Sequence, residues 1–250
     1  NEERLRQIVD LRKQKPELKV LLSIGGWGSG RFSEMAANDE YRRAFAADCD
    51  RVVKEFALDG IDIDWEYPTS SMANISSSPD DTENFTLLMQ DIRAAIGNEK
   101  ELTLATVASA RYIDFKAILP SVDFVNIMAY DMASAPKHHS ALYPSGHSGD
   151  ITSDGAVTAH LKAGVPPSKL VMGMPFYGRG GDGYPSFQDY NKVGNTDTQY
   201  TEKWDEVAQV PYLADKNDTL VFGFENPRSL AIKCQYILDK DLLGGMYWGL

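Results

Sequence analysis

The chain has 250 residues, 43% of them hydrophobic, with a formal net charge of −11 and a sequence pI near 4.8. That length fits one large α/β domain or two small ones. The acidic balance argues against nucleic acid or an anionic membrane as partner and suits a neutral substrate. No apolar run approaches the ~20 residues needed to span a bilayer, and no secretory leader is read in the chain. Cys49 and Cys234 fall far apart in predicted helices and read as buried free thiols, with a disulfide as the alternative.

In chain order, Leu5, Ile8 and Val9 mark a first helix, stopped before Pro16. Residues 19–24 (KVLLSI) form an apolar run that predicts a buried strand, followed by the loop GGWGSGRF. Tyr41, Phe45, Cys49, Val52 and Phe56 recur at helical spacing. Next comes DGIDIDWEYP, residues 59–68, the most informative segment of the chain. Along an extended strand Asp62, Asp64 and Glu66 share one face, and Ile61, Ile63 and Trp65 share the other. Three aligned acids repel one another. They persist by sharing protons or serving a ligand, with pKa values pushed apart; a solvated acidic edge strand is the alternative.

A Ser-rich loop then leads to a helix marked by Phe85, Leu88, Met89, Ile92 and Ile96 and closed by Gly97. Strands are predicted over 102–108, 123–129, 170–175 and 245–248. Ser153 caps a helix ending near Gly164, and Asn226 with Pro227 opens another.

Strands alternating with helices imply βαβ units and a parallel sheet. Polar and aromatic residues collect after the strands: Gly25, Gly26 and Trp27; Glu66 and Tyr67; Tyr130 and Asp131; Tyr177 and Arg179; Trp248. That spread favours a (β/α) barrel, whose active site lies at this edge, over a doubly wound open sheet, which gathers its ligand at one switch point. No GxGxxG or Walker loop supports a nucleotide fold. The histidines 138, 139, 147 and 160 lack ligand spacing, so no metal is expected.

These residues resemble the family 18 glycoside hydrolases, the chitinase family. Its DxxDxDxE signature is matched by Asp59, Asp62, Asp64 and Glu66. SxGG is matched by Ser23, Gly25 and Gly26, and MxYD by Met128, Tyr130 and Asp131. The FYGR segment, Phe176 to Arg179, and the closing Trp248 also match. The resemblance implies a (β/α)8 TIM barrel in which residues 19–24 look like the third strand, so the first two strands are not in the chain. It makes residues 1–250 one catalytic domain, with a short insertion around 180–201 and hence a shallow groove.

The implied chemistry is retaining hydrolysis of β-1,4 bonds between N-acetylglucosamine units of chitin or chitooligosaccharides, without a cofactor. Glu66 is the general acid, its pKa raised by Asp64 and partial burial. The nucleophile is the substrate's acetamido oxygen, which forms an oxazolinium ion. Asp64 orients the acetamido N–H, Asp62 shares a proton with Asp64, and Ser23 hydrogen-bonds within the cluster. Tyr130 holds the acetamido oxygen, Asp131 accepts from a sugar hydroxyl, and Trp248 floors the reacting sugar.

Trp27 and Tyr67 are candidate sugar platforms, and Met128, Tyr177 and Arg179 candidate contacts. Core packing is the alternative for Tyr67, Met128 and Trp248, and an ion pair for Arg179. Asp59 reads as structural. Competing functions are an endo-β-N-acetylglucosaminidase acting on N-glycans and a non-catalytic chitinase-like lectin. A monomer is expected, secreted or periplasmic because chitin is insoluble.

Overall fold

The computed structural model describes residues 1–180, 188–189 and 200–249. They form two compact units, one of Asn1–Thr106 with Tyr112–Val125, the other of Val107–Arg111 with Asn126–Leu250.

The first unit begins with helix α1 (Glu2–Asp10), strand β1 (Leu21–Gly25) and helices α2 (Phe32–Ala36) and α3 (Asp39–Glu55). Strand β2 (Gly60–Asp64), helix α4 (Asp81–Ile96), strand β3 (Glu101–Val107) and helix α5 (Phe115–Ile118) follow. β2 lies between β1 and β3, parallel to both. Its alternation works as the sequence predicts: Ile61, Ile63 and Trp65 are buried. The Trp65 ring stacks on Phe32 at 5.4 Å and meets the edge of Phe85 at 5.5 Å.

Asn38 caps α3 by accepting from the amides of Glu40 and Tyr41. α4 buries Phe85, Leu88, Met89, Ile92 and Ile96, and ends at Gly97 with φ 81°. At the start of α4, buried Asp81 accepts from the Ser33 hydroxyl and from the amides of Thr69 and Ser78. One carboxylate thus pins the Ser-rich loop after β2. Asp59 proves structural: its Oδ2 accepts from the Val20 amide at 2.7 Å, fixing how β1 enters the sheet.

β1 is not a buried strand: Ser23 is exposed and Leu21, Leu22 and Ile24 are half-buried. It is the terminal strand of its sheet, with β2 as its single neighbour among the described residues, and a terminal strand lacks cover on its open side.

The second unit holds strand β4 (Phe124–Met128), whose first two residues belong to the first unit, helix α6 (Ser153–Lys162) and strand β5 (Leu170–Pro175). Five short strands come next: β6 (Tyr177–Gly180), β7 (Gln188–Asp189), β8 (Thr201–Asp205), β9 (Val210–Ala214) and β10 (Leu220–Gly223). Helix α7 (Pro227–Asp239) and strand β11 (Gly244–Trp248) complete it. β5 sits between β4 and β11, and β11 runs parallel to it from Gly244 beside Val171 to Trp248 beside Pro175. The short strands make an antiparallel sheet in the order β7, β6, β10, β9, β8.

The insertion expected at 180–201 lies mostly outside the described residues, but the antiparallel pairing continues to Gly223. α6 starts at Ser153 with Thr152 as its cap, one residue earlier than expected. Asn226 and Pro227 open α7 with a reciprocal capping box.

Inside this unit Lys233 and Glu225 form a buried ion pair, and the Lys233 ammonium also donates to the Ser140 carbonyl at 2.6 Å. The pair ties the segment after β4 to α7. Neither cysteine is in a disulfide: Cys49 is buried, and burial pushes its thiol up to about 12. Cys234 is exposed, correcting the buried reading, because α7 buries Ser229, Lys233, Tyr236 and Ile237 and turns residue 234 away from that stripe.

Candidate active site

Strand register builds the acidic cluster of the first unit. Ser23 on β1, Asp62 on β2 and Thr103 on β3 are direct neighbours across three strands. The Ser23 hydroxyl donates to Asp62 Oδ2 at 2.7 Å, and the Thr103 hydroxyl donates to Oδ1 at 2.6 Å.

One step further along the same face lies Asp64. Burial, then the charges of Glu66 and Asp62, push its carboxyl up to about 7. Its Oδ1 is buried and has no hydrogen-bond partner among the described residues. A buried acceptor left open is costly unless a ligand fills it. The strand therefore carries an acid held by two hydroxyls at Asp62, a proton-holding acid at Asp64, and Glu66 immediately beyond.

Gly25 explains the SxGG pattern in physical terms. It has φ 126°, and a Cβ on it would lie 1.9 Å from the Asp64 carbonyl oxygen. The next amide, Gly26, donates to that same oxygen at 2.8 Å. Only a residue without a side chain lets the end of β1 close onto Asp64. Gly25→Ala is expected to cost about 3 kcal/mol, from strain plus the backbone clash. A urea midpoint measurement checks it.

Beside the acids, Trp27 is 60% exposed. Its ring meets Tyr67 edge-on at 6.4 Å, and Tyr67 stacks on Tyr112 at 5.5 Å. Tyr67 is half-buried.

In the second unit Tyr177 and Arg179 meet at Asp131. The Tyr177 hydroxyl donates to Asp131 Oδ1 at 2.9 Å, and Arg179 Nη1 lies 3.0 Å from the same oxygen. Burial pushes the Asp131 carboxyl up, but the Arg179 charge and the Tyr177 hydroxyl help hold it below the ordinary range. Arg179 thus realises its ion-pair alternative. Tyr177 is buried, and burial followed by the Asp131 charge raises its phenol.

Tyr130 lies 6.3 Å from Tyr177, ring to ring, and its hydroxyl is 3.8 Å from the Met246 sulfur. Met128 is half-buried. Trp248, at the end of the terminal strand β11, is 59% exposed.

Three contributors carry no signal in the sequence pattern: Thr103, Tyr112 and His139. Thr103 becomes visible once β3 is placed beside β2, because register then sets it against Asp62.

Among the described residues no group of three or more His, Cys, Asp or Glu is placed to hold a metal ion. Two histidines have structural partners instead. His138 pairs with Asp205 at 3.0 Å, and His160 is buried with Nδ1 2.7 Å from the Ala156 carbonyl, its pKa pushed down to about 4 by burial. No helix among the described residues is long and apolar enough to cross a membrane.

Parallel strands alternating with helices and the DxxDxDxE strand define a glycoside-hydrolase type of α/β protein. The chain belongs to glycosyl hydrolases family 18, matched over residues 1–250. It is 33% identical to chitinase A1 of Niallia circulans over 98% of its own length, and 32% identical to chitotriosidase-1 of Mus musculus over 100%. It spans 42% of the first relative and 62% of the second.

Among solved structures it is similar to a family 18 N-acetylglucosaminidase from Paenibacillus barengoltzii, with TM-score 0.91 and 33% identity over 98% of this chain and 82% of that one. It is also similar to the Ostrinia furnacalis Group IV chitinase in complex with allosamidin, with TM-score 0.88 and 29% identity over 98% and 76%. These matches agree with a TIM-barrel-like α/β fold.

Proposed function

We propose that the protein carrying this chain hydrolyses β-1,4 bonds of chitin or chitooligosaccharides, with retention of configuration and help from the substrate's own acetamido group. One observation carries the reading: Asp64 holds a proton near neutrality and keeps a buried, partnerless oxygen beside Glu66. An acetamido N–H is a donor of the right kind for that oxygen, and the similarity to chitinase A1 of Niallia circulans supports the substrate class.

Glu66 protonates the leaving oxygen. The acetamido oxygen attacks the anomeric carbon, and the glycosidic bond breaks to give an oxazolinium ion. Glu66, now a carboxylate, takes a proton from the water that opens this ion. Asp64 accepts from the acetamido N–H at its open Oδ1 and so orients the attacking group. Asp62, held by Ser23 and Thr103, sets the charge next to Asp64. Tyr130 donates to the acetamido oxygen, Asp131 receives a sugar hydroxyl, and Trp248, Trp27 and Tyr67 offer ring faces to sugars. Met128 packs near the sugar, while Tyr177 and Arg179 act by holding Asp131. An insoluble substrate argues for secretion or a periplasmic location.

The test is digestion of chitotetraose by the full-length protein, with the anomer of the fresh product read by proton NMR. A β product supports the reading. An α product overturns the retaining mechanism. Binding without turnover leaves the lectin, and cleavage confined to the chitobiose core of N-glycans favours the endo-β-N-acetylglucosaminidase.

A further inference from the structure

We propose that His139 is a positioning residue for Asp131, holding it through the main chain with an imidazole whose Nδ1 carries no proton. The inference rests on the reading of Asp131 as a substrate-binding carboxylate. Asp131 sits just after β4 with φ 54°, in the left-handed region. A non-glycine residue stays there only when its surroundings over-determine it.

Two successive amides provide that restraint. The Asp131 N–H donates to His139 Nδ1 at 3.2 Å, and the Met132 N–H donates to the His139 carbonyl at 3.0 Å. An N–H can donate only to a lone pair, so in this arrangement the ring proton is on Nε2. The same Nδ1 is 3.5 Å from Asp131 Oδ1, farther than the amide. Moving the proton to Nδ1 would turn an acceptor into a donor, release the amide and pull on the carboxylate instead.

The surroundings fit this assignment. The His139 side chain is 1% exposed, and its ring lies 5.4 Å from Tyr177. Tyr177 and Arg179 both meet Asp131 at Oδ1, so Oδ2 is the oxygen assigned to the sugar. The groups facing His139 are Asp131 on its own loop and, from β6, Tyr177 with Arg179 behind Asp131. From β10, Gly223 lies against the ring without bringing a charge. Nε2 is buried and has no hydrogen-bond partner among the described residues. A buried N–H left unpaired destabilises the fold, so the ring is a poor choice for packing alone.

The experiment compares the full-length protein with His139→Asn and His139→Gln. Asn keeps an acceptor at the place of Nδ1; Gln moves it one bond outward. On chitotetraose the Gln variant is expected to raise KM about tenfold, as loss of a restraint on one charged hydrogen bond should, with kcat within about threefold. The Asn variant is expected to recover most of the parent's KM.

A long-range 15N–1H spectrum of the parent at pH 7 should give Nδ1 the signature of an unprotonated nitrogen. A protonated Nδ1, or equal KM values for the Asn and Gln variants, overturns the proposal. A parent that turns over no substrate sinks the hydrolase reading instead. The imidazole spectrum needs no substrate and no variant, so it still decides the tautomer, even where the Gln variant fails to fold.

Discussion

Glu66→Gln is expected to lower kcat on chitotetraose by more than ~100-fold, as removal of a general acid should. An amide has nearly the size and shape of the acid but no proton to release to the leaving oxygen, and it cannot activate water afterwards. Binding should survive. The aromatic faces of Trp27 and Tyr67 are untouched, and Trp65, next in the chain, stays locked between Phe32 and Phe85. Calorimetric titration of the Gln variant should therefore give a Kd within a few-fold of the parent's KM. Activity within tenfold of the parent would remove Glu66 from the acid role and shift attention to Asp64, which holds its own proton near neutrality.

Most of what positions the acids is legible in the sequence itself. The period of two in DGIDIDWEYP assigns faces with no knowledge of neighbours, and β2 buries Ile61, Ile63 and Trp65 accordingly. Chain punctuation is equally readable: Gly97 ends α4 and Asn226 with Pro227 starts α7, because these are local backbone effects.

Pairing, by contrast, is visible only in three dimensions. Ser23 and Thr103 lie 39 and 41 residues from Asp62, and only strand register brings their hydroxyls onto its carboxylate. The exposure of β1 depends on which strand lies beside it, a property absent from its own apolar sequence. His139 shows no pattern at all; it gains its role because a left-handed turn at Asp131 brings residues eight apart into contact.

The antiparallel sheet β6–β10 escapes sequence reasoning for another reason. Its strands have two to five residues, and Pro211 falls inside β9, where a proline argues against a strand. One signal does exist. Asp215 accepts from the amides of Asn217 and Thr219, the side-chain turn that an Asp-Lys-Asn-Asp run favours between two strands.

Asp64→Asn is expected to act in opposite directions on activity and stability. Turnover should fall by more than ~100-fold, the scale seen when a preorganised electrostatic partner of the transition state is removed. Stability should rise at alkaline pH. The Asp64 carboxyl is pushed up to about 7 in the fold from a reference of 3.8, by burial first and then by Glu66 and Asp62.

A raised folded-state value means that the folded protein keeps a proton the unfolded chain gives up. The associated stability is fully present below pH 3.8 and is lost as pH rises through 7. Integrated over that window, the loss is at most about 4 kcal/mol, and less to the extent that water still reaches the group. An asparagine has no such proton to lose. At pH 8 the variant should therefore melt roughly 5–10 °C above the parent, and the gap should close by pH 4.

Thermal melts of both proteins at the two pH values decide it. A gap independent of pH would mean that Asp64 is ionised in the resting fold, and the partnerless oxygen would then belong to a charged group already satisfied in some other way. A gap that appears only at pH 8, alongside lost turnover, would mean that the arrangement serving the acetamido group is one the fold sustains at a cost to its own stability.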